Sequence, residues 1–181
     1  MYCLDSHGAD IEHFWPNAPY PAKAFTWPNL PLCRAACGRF NGDRFPVDHG
    51  RPLLVDPTVD DPWAVLDFDP RTGNLAARFD RGANAFYRKG NETVKLLQLD
   101  RREALSDGYR KTWRRVSRVV ERYLSGEEPG AELTDRLLEA DDHGLLGWCF
   151  DGAGENEPPF REWRERDPAL WKACAERFRT L

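Results

Sequence analysis

Residues 1–50 contain almost no apolar periodicity long enough to bury the face of a helix or a sheet, yet they are crowded with Pro, aromatic, Cys and His residues. Such a segment has little aliphatic volume to collapse around, so it suits a compact, loop-rich module held by a bound metal rather than by a large core. Short strands fit residues 10–14 and 26–32, and a short helix fits 34–41, ended by Gly42. The order is strand, loop, strand, helix.

Beyond that module the patterning becomes regular. Two short apolar runs, 63–69 and 74–79, flank Pro70-Arg71-Thr72-Gly73, which predicts a β-hairpin. Asn91 suits the cap of a short helix through Gln98, and Asp100 with Glu103 has the spacing of a capping box for a longer helix over 101–124. Leu105, Tyr109, Val116, Val119, Val120 and Tyr123 give that helix one apolar face. Lys111, Arg115, Arg118 and Arg122 fall on the opposite side, within roughly 60° on a wheel of 100° per residue. Further helices fit 132–140 and 160–178, separated by a Gly-rich stretch at 151–156, with a break in the last at Asp167-Pro168. The chain therefore reads as α+β in three parts: a module over 1–50, a β-hairpin segment over 51–90 and a helical region over 91–181.

The 181 residues are 41% hydrophobic and 31% charged, which excludes wholesale disorder. Nowhere do 18 apolar residues run together, and the start lacks the basic and apolar regions of a secretory signal, so a cytoplasmic location is expected. The net charge of -4 is unevenly spread. Residues 101–124 carry eight Lys/Arg against three Asp/Glu, while 125–181 carry seven against fourteen. An acidic total thus leaves room for nucleic-acid backbone contacts by the basic stripe of the long helix, or for its pairing with the acidic segment 127–142. Five cysteines without a secretory signal do not describe a disulfide framework. Cys149 and Cys174 stand alone and read as small buried apolar residues. His49 and His143 read as surface or capping residues, and Trp15, Trp27 and Trp63 as core. Trp163 and Trp171 read as core or as a partner surface.

The chemistry concentrates in Glu12-His13-Phe14-Trp15-Pro16, Trp27-Pro28-Asn29-Leu30, Cys33, Cys37 and Gly42-Asp43-Arg44-Phe45-Pro46. Adjacent residues of a strand face opposite ways, so Glu12 and His13 place a hard-cation ligand and a base on two sides of one strand. An Asn fixed in the neighbouring segment, Asn29, suits the task of orienting the imidazole.

Together with Leu54-Val55-Asp56-Pro57 and Leu97-Gln98-Leu99-Asp100-Arg101, these motifs resemble the HNH (ββα-metal) endonucleases. The resemblance is to the branch that forms the nuclease subunit of Septu-type and retron-associated anti-phage systems, and it runs over about residues 1–115. It implies a ββα-metal module, with His13 as the general base that activates water against a phosphodiester of DNA or RNA. It also implies Asn29 as the residue that orients His13 and braces the loop, Glu12 as a ligand of catalytic Mg²⁺ or Mn²⁺, and an ABC-type ATPase subunit as partner. An ordinary imidazole, with a pKa near ~6.5, suits base catalysis near neutrality.

Where the family has the last His or Asn of its motif, this chain has Gly38, which ligates nothing. Asn41 or Asp43 then supplies the missing ligand, or Glu12 and waters hold the ion, or the site is inactive. The family's structural zinc uses two Cys pairs. Here Cys3-x-x-x-His7 with Cys33-x-x-x-Cys37 offers three thiolates and one imidazole, a set that suits tetrahedral Zn²⁺. The function expected is metal-dependent endonuclease activity; the alternative is an HNH-fold protein that binds nucleic acid or an ATPase without cutting.

Overall fold

The structure, a computed structural model, describes residues 10–33 and 44–180, residues 10 and 33 by their backbone alone. It is α+β, with four two-stranded antiparallel ladders and six α-helices among the described residues. The chain divides into two compact units, Met1–Asp69 with Asn74–Ser106, and Pro70–Gly73 with Asp107–Leu181.

In the first unit, β1 (Asp10–Ile11) pairs with β2 (Leu32–Cys33). Backbone bonds continue the pairing inward, from Glu12 N to Pro31 O at 3.1 Å and from Phe14 N to Asn29 O at 3.1 Å. The expected strand over 26–32 is only partly a strand. Pro28 removes a ladder donor, and Trp27–Asn29 winds instead into one 3₁₀ turn. The helix expected over 34–41 lies outside the described residues.

Three hairpins follow. β3 (Val47–Asp48) and β4 (Arg51–Pro52) are joined by His49 and Gly50, with φ of 47° and 75°. Both linking residues are left-handed, as the twist of a two-residue hairpin requires, so His49 is an exposed turn residue. β5 (Leu66–Phe68) pairs with β6 (Leu75–Ala77), the hairpin read from the sequence. Trp63 belongs to a separate 3₁₀ turn, Pro62–Ala64, capped by the Asp61 carboxylate, which accepts from Trp63 N at 2.9 Å. β7 (Phe79–Asp80) and β8 (Ala85–Phe86) face Phe79 with Phe86 at 5.2 Å between rings.

Helix α1 (Arg88–Leu97) begins three residues before the expected cap, so Asn91 lies inside it. Gly90 lets α1 approach the chain after Trp63: a Cβ at Gly90 would lie 2.1 Å from Val65 O. That carbonyl is already fixed by Arg78 N at 2.9 Å. At the other end, Thr93 Oγ1 accepts from Val55 N at 2.9 Å and donates to Lys89 O at 2.7 Å. Around these bonds Phe14, Leu54 and Leu96 form a buried cluster, with Trp15 and Phe45 packed on it.

Helix α2 (Glu103–Ser125) matches the long amphipathic helix within two residues, and the boundary between the units falls inside it. In the second unit its Val116 and Val120 are fully buried. The same unit contains α3 (Leu133–Ala140), α4 (Leu145–Asp151), α5 (Phe160–Arg166) and α6 (Pro168–Arg179). Its core is aromatic: Trp148, Phe150, Phe160, Trp163 and Trp171 are all buried, and Trp163 meets Trp171 at 4.9 Å. The two tryptophans expected as core or partner surface are therefore core. Cys149 and Cys174 are buried free thiols, and burial pushes both pKa values up. His143, expected as a surface or capping residue, is half-buried; its Nδ1 meets Thr112 Oγ1 at 2.8 Å and its ring packs 5.1 Å from Tyr109.

The expected break at Asp167-Pro168 is present. The Asp167 carboxylate caps α6 through Leu170 N at 3.0 Å and accepts from Tyr123 Oη at 2.7 Å. The Leu170 N–H first, and the Tyr123 hydroxyl second, hold the Asp167 carboxyl below its ordinary 3.8, while the same hydroxyl bond raises Tyr123.

Two outcomes follow from this packing. Gly90→Ala gains roughly 1 kcal/mol of helix propensity but drives a methyl into a fixed carbonyl, so we expect a net loss of about 2 kcal/mol in chemical denaturation. Equal or greater stability would contradict the close approach. Because Asp167 has a depressed folded pKa, its contribution is present above the ordinary value and lost as pH falls through the folded one. The melting-temperature gap between the parent and Asp167→Ala should therefore be full at neutral pH and close in acid below pH 3.8.

Candidate active site

The segment between the two short strands is a closed loop. Tyr20 N bonds Pro16 O, Lys23 N bonds Tyr20 O, Ala24 N bonds Pro21 O and Thr26 N bonds Lys23 O, at 2.9–3.2 Å. Prolines at 16, 19, 21 and 28 fix φ between these bonds. Across the loop lies Asn29, 2% exposed. Its Oδ1 accepts from Trp15 N at 2.6 Å, and its Nδ2 donates to Trp15 O at 3.1 Å and Lys23 O at 3.0 Å. One amide thus ties the start of the loop to its middle. No hydrogen bond from Asn29 to the His13 ring is present among the described residues; its bonds go to the backbone at Trp15 and Lys23.

His13 is half-buried at the mouth of this loop. Its Nε2 lies 3.0 Å from Ala24 O. A carbonyl only accepts, so Nε2 carries the hydrogen, and in the neutral ring Nδ1 keeps its lone pair. Asn17 Nδ2 faces that atom at 3.3 Å. Ala24 lies one residue beyond Lys23, the carbonyl that Asn29 grips, so the acceptor that sets the imidazole's tautomer is itself held through Asn29. Glu12 precedes His13 and is half-buried. The aromatic wall behind is built by Phe14, Trp15, Tyr20 and Phe45, with Trp15 and Tyr20 rings 4.8 Å apart and Lys23 Nζ 3.9 Å from the Trp15 ring.

The remaining expected ligands are not brought into view. Cys3, His7, Cys37, Asn41 and Asp43, with Gly38, lie outside the described residues, as does the Cys33 side chain. Among the described residues no group of three or more His, Cys, Asp or Glu is placed to hold a metal. Glu12 alone of the expected magnesium ligands is described.

The basic stripe on α2 is divided in its engagements. Arg115 pairs with Asp142, and Arg122 reaches Glu127 at 3.8 Å and the buried Glu128 at 3.2 Å. Both thus pair with the acidic stretch that follows. Lys111 and Arg118 are exposed and, with Arg114, have no carboxylate partner among the described residues.

Sequence reasoning missed three features of this site. Ala24 acts through its backbone, which leaves no residue-type signal. Asn17 is one of many loop asparagines. Trp27, read as core, is 85% exposed, and its neighbour Phe25 is 95% exposed.

Asn29→Ala removes three bonds and leaves the partly buried Trp15 N–H without this acceptor, so we expect a loss of about 3 kcal/mol in denaturant unfolding. Asn29→Asp keeps the acceptor but turns a donor into an oxygen facing two carbonyls, and should also destabilise. A neutral Asn29→Ala would show that the loop closes without this amide.

No protein-family model matches the chain, and no solved structure matches it. It is similar to the Septu protein PtuB of Bacillus thuringiensis, with 29% identity over 110 residues, which is 58% of this chain and 38% of that protein. The chain thus spans less than two fifths of the length of the relative it matches.

Proposed function

We propose that this protein is a metal-dependent HNH endonuclease that hydrolyses nucleic-acid phosphodiesters as an effector of anti-phage defence, with His13 as general base. The observation that supports it best is the holding of the imidazole. Nε2 is committed to Ala24 O, and Nδ1, the nitrogen that keeps its lone pair, accepts at 3.3 Å from the exposed Asn17 amide, which a water at the mouth of the loop would replace. The likeness to a Septu protein supports the defence setting.

In this reading Nδ1 takes a proton from water as the water oxygen attacks phosphorus and the bond to the leaving oxygen breaks. Glu12, with Asn41 or Asp43, would hold Mg²⁺ or Mn²⁺, which supplies charge stabilisation at the scissile phosphate. Cys3, His7, Cys33 and Cys37 would hold a structural Zn²⁺. Lys111 and Arg118 would contact backbone phosphates, with Arg115 and Arg122 joining only by leaving their carboxylate partners. An ABC-type ATPase is the proposed partner subunit. No helix among the described residues is long and apolar enough to cross a membrane.

A second reading rests on Gly38: an HNH-fold protein that has lost a metal ligand and binds nucleic acid or the ATPase without cutting. Plasmid, single-stranded DNA and total tRNA incubated with Mg²⁺ or Mn²⁺, with and without the ATPase, separate the two. Under the nuclease reading His13→Ala slows cleavage about 100- to 10,000-fold while the unfolding transition stays near that of the parent. Equal products from parent and His13→Ala would remove His13 from the mechanism.

A further inference from the structure

The loop that holds His13 also holds two large aromatic side chains out in water. Phe25 is 95% exposed and Trp27 is 85% exposed, and neither ring packs on another among the described residues. These are not stray residues on a slack segment. Phe25 directly follows Ala24, whose carbonyl holds the imidazole at 3.0 Å. Trp27 opens the 3₁₀ turn that ends in the buried Asn29, with Leu30 N bonding Trp27 O at 3.1 Å. Thr26, between them, is fixed by its N–H and its hydroxyl to Lys23 O. A backbone so cross-braced fixes the points at which both side chains leave the loop, although neither ring has a packing partner among the described residues.

Beside Trp27 runs an open groove of about 440 Å³, lined by Pro28, Leu30, Leu32 and Val59 among others. Lys23 lies two residues before Phe25, is exposed, and has no carboxylate partner among the described residues. Flat exposed rings on the same loop as a lysine that rests on the Trp15 ring and faces no carboxylate are elements that can bind single-stranded nucleic acid. Every unstacked base has a face to offer, while the cation meets the backbone. In a duplex those faces are already stacked on each other.

We infer that Phe25 and Trp27 are stacking platforms for unpaired bases, so that the loop seats a single strand, or an unpaired stretch, against His13. This rests on the nucleic-acid reading above and adds the substrate class and the residues that select it.

The test uses the full chain with His13→Gln, whose amide still reaches toward Ala24 O. Binding of a fluorescent oligothymidylate is compared with a blunt duplex of equal length by anisotropy. We expect tighter binding of the single strand. Phe25→Ala and Trp27→Ala should each weaken it about five- to 150-fold, leave the duplex affinity unchanged, and be largely restored by Trp27→Phe. Both side chains are in water, so the unfolding transition should not move, and circular dichroism melts check this. Single-strand affinity unchanged in both variants, no oligonucleotide binding by the parent, or an effect confined to self-association in sedimentation would overturn the inference. Cleavage by the wild type is scored separately. Strand binding lost in the variants without cleavage by any protein removes the nuclease reading and keeps this one. Cleavage with unaltered strand affinity in the variants does the reverse.

Discussion

The buried amide of Asn29 is the interaction on which the amino-terminal unit's chemistry depends. The twenty residues, 12–31, between two very short strands have little ladder to fix them, and their apolar side chains mostly face outward or along the wall. Three hydrogen bonds from one side chain do what a sheet cannot do there: they fasten Trp15 to Lys23 and leave Ala24 one step away as an acceptor for His13. The role anticipated for Asn29 was to orient the imidazole and brace the loop. The bonds present run to the backbone on either side, so any influence on the ring passes through Ala24.

The two units solve the problem of stability differently. The second buries five large aromatics among four helices that follow α2 and caps them with acidic side chains; Asp141, for example, accepts from Leu145 N and Leu146 N at 2.8 Å. The first has a small cluster around Phe14, Leu54 and Leu96 and relies on backbone bonds, prolines and the close approach at Gly90. This contrast bears on where surfaces for partners lie. The aromatics of the last third are spent on packing, whereas Phe25 and Trp27, the most exposed of the described aromatics, lie on the loop that holds His13.

The long helix, the hairpin at 66–77 and the break at Asp167 were legible because each rests on local chemistry: a 3.6-residue apolar repeat, turn formers between short runs, an N-capping Asp before Pro. Helix α4 was not anticipated. It runs into the Gly-rich stretch at 151–156, and burial of Leu145, Leu146, Trp148, Cys149 and Phe150 overrides the low helix propensity of Gly147 inside it. The stretch 26–32 alternates apolar residues like a strand, but prolines at 28 and 31 break the ladder and turn Trp27 outward. At the site, Glu12, His13 and Asn29 stand out as residue types. The Ala24 carbonyl does not, because an acceptor on the main chain is created only by the fold.

The central claim is that the fold fixes which nitrogen of His13 is basic. Heteronuclear NMR of the ¹⁵N-histidine-labelled protein, titrated through neutral pH, reads this directly from the two ring nitrogens. The account requires the neutral His13 ring to carry its hydrogen on Nε2, with Nδ1 the nitrogen that takes up the proton, and Asn29→Ala to blur that preference. A neutral ring protonated on Nδ1 would contradict it, since the imidazole would then present no base at the mouth of the loop.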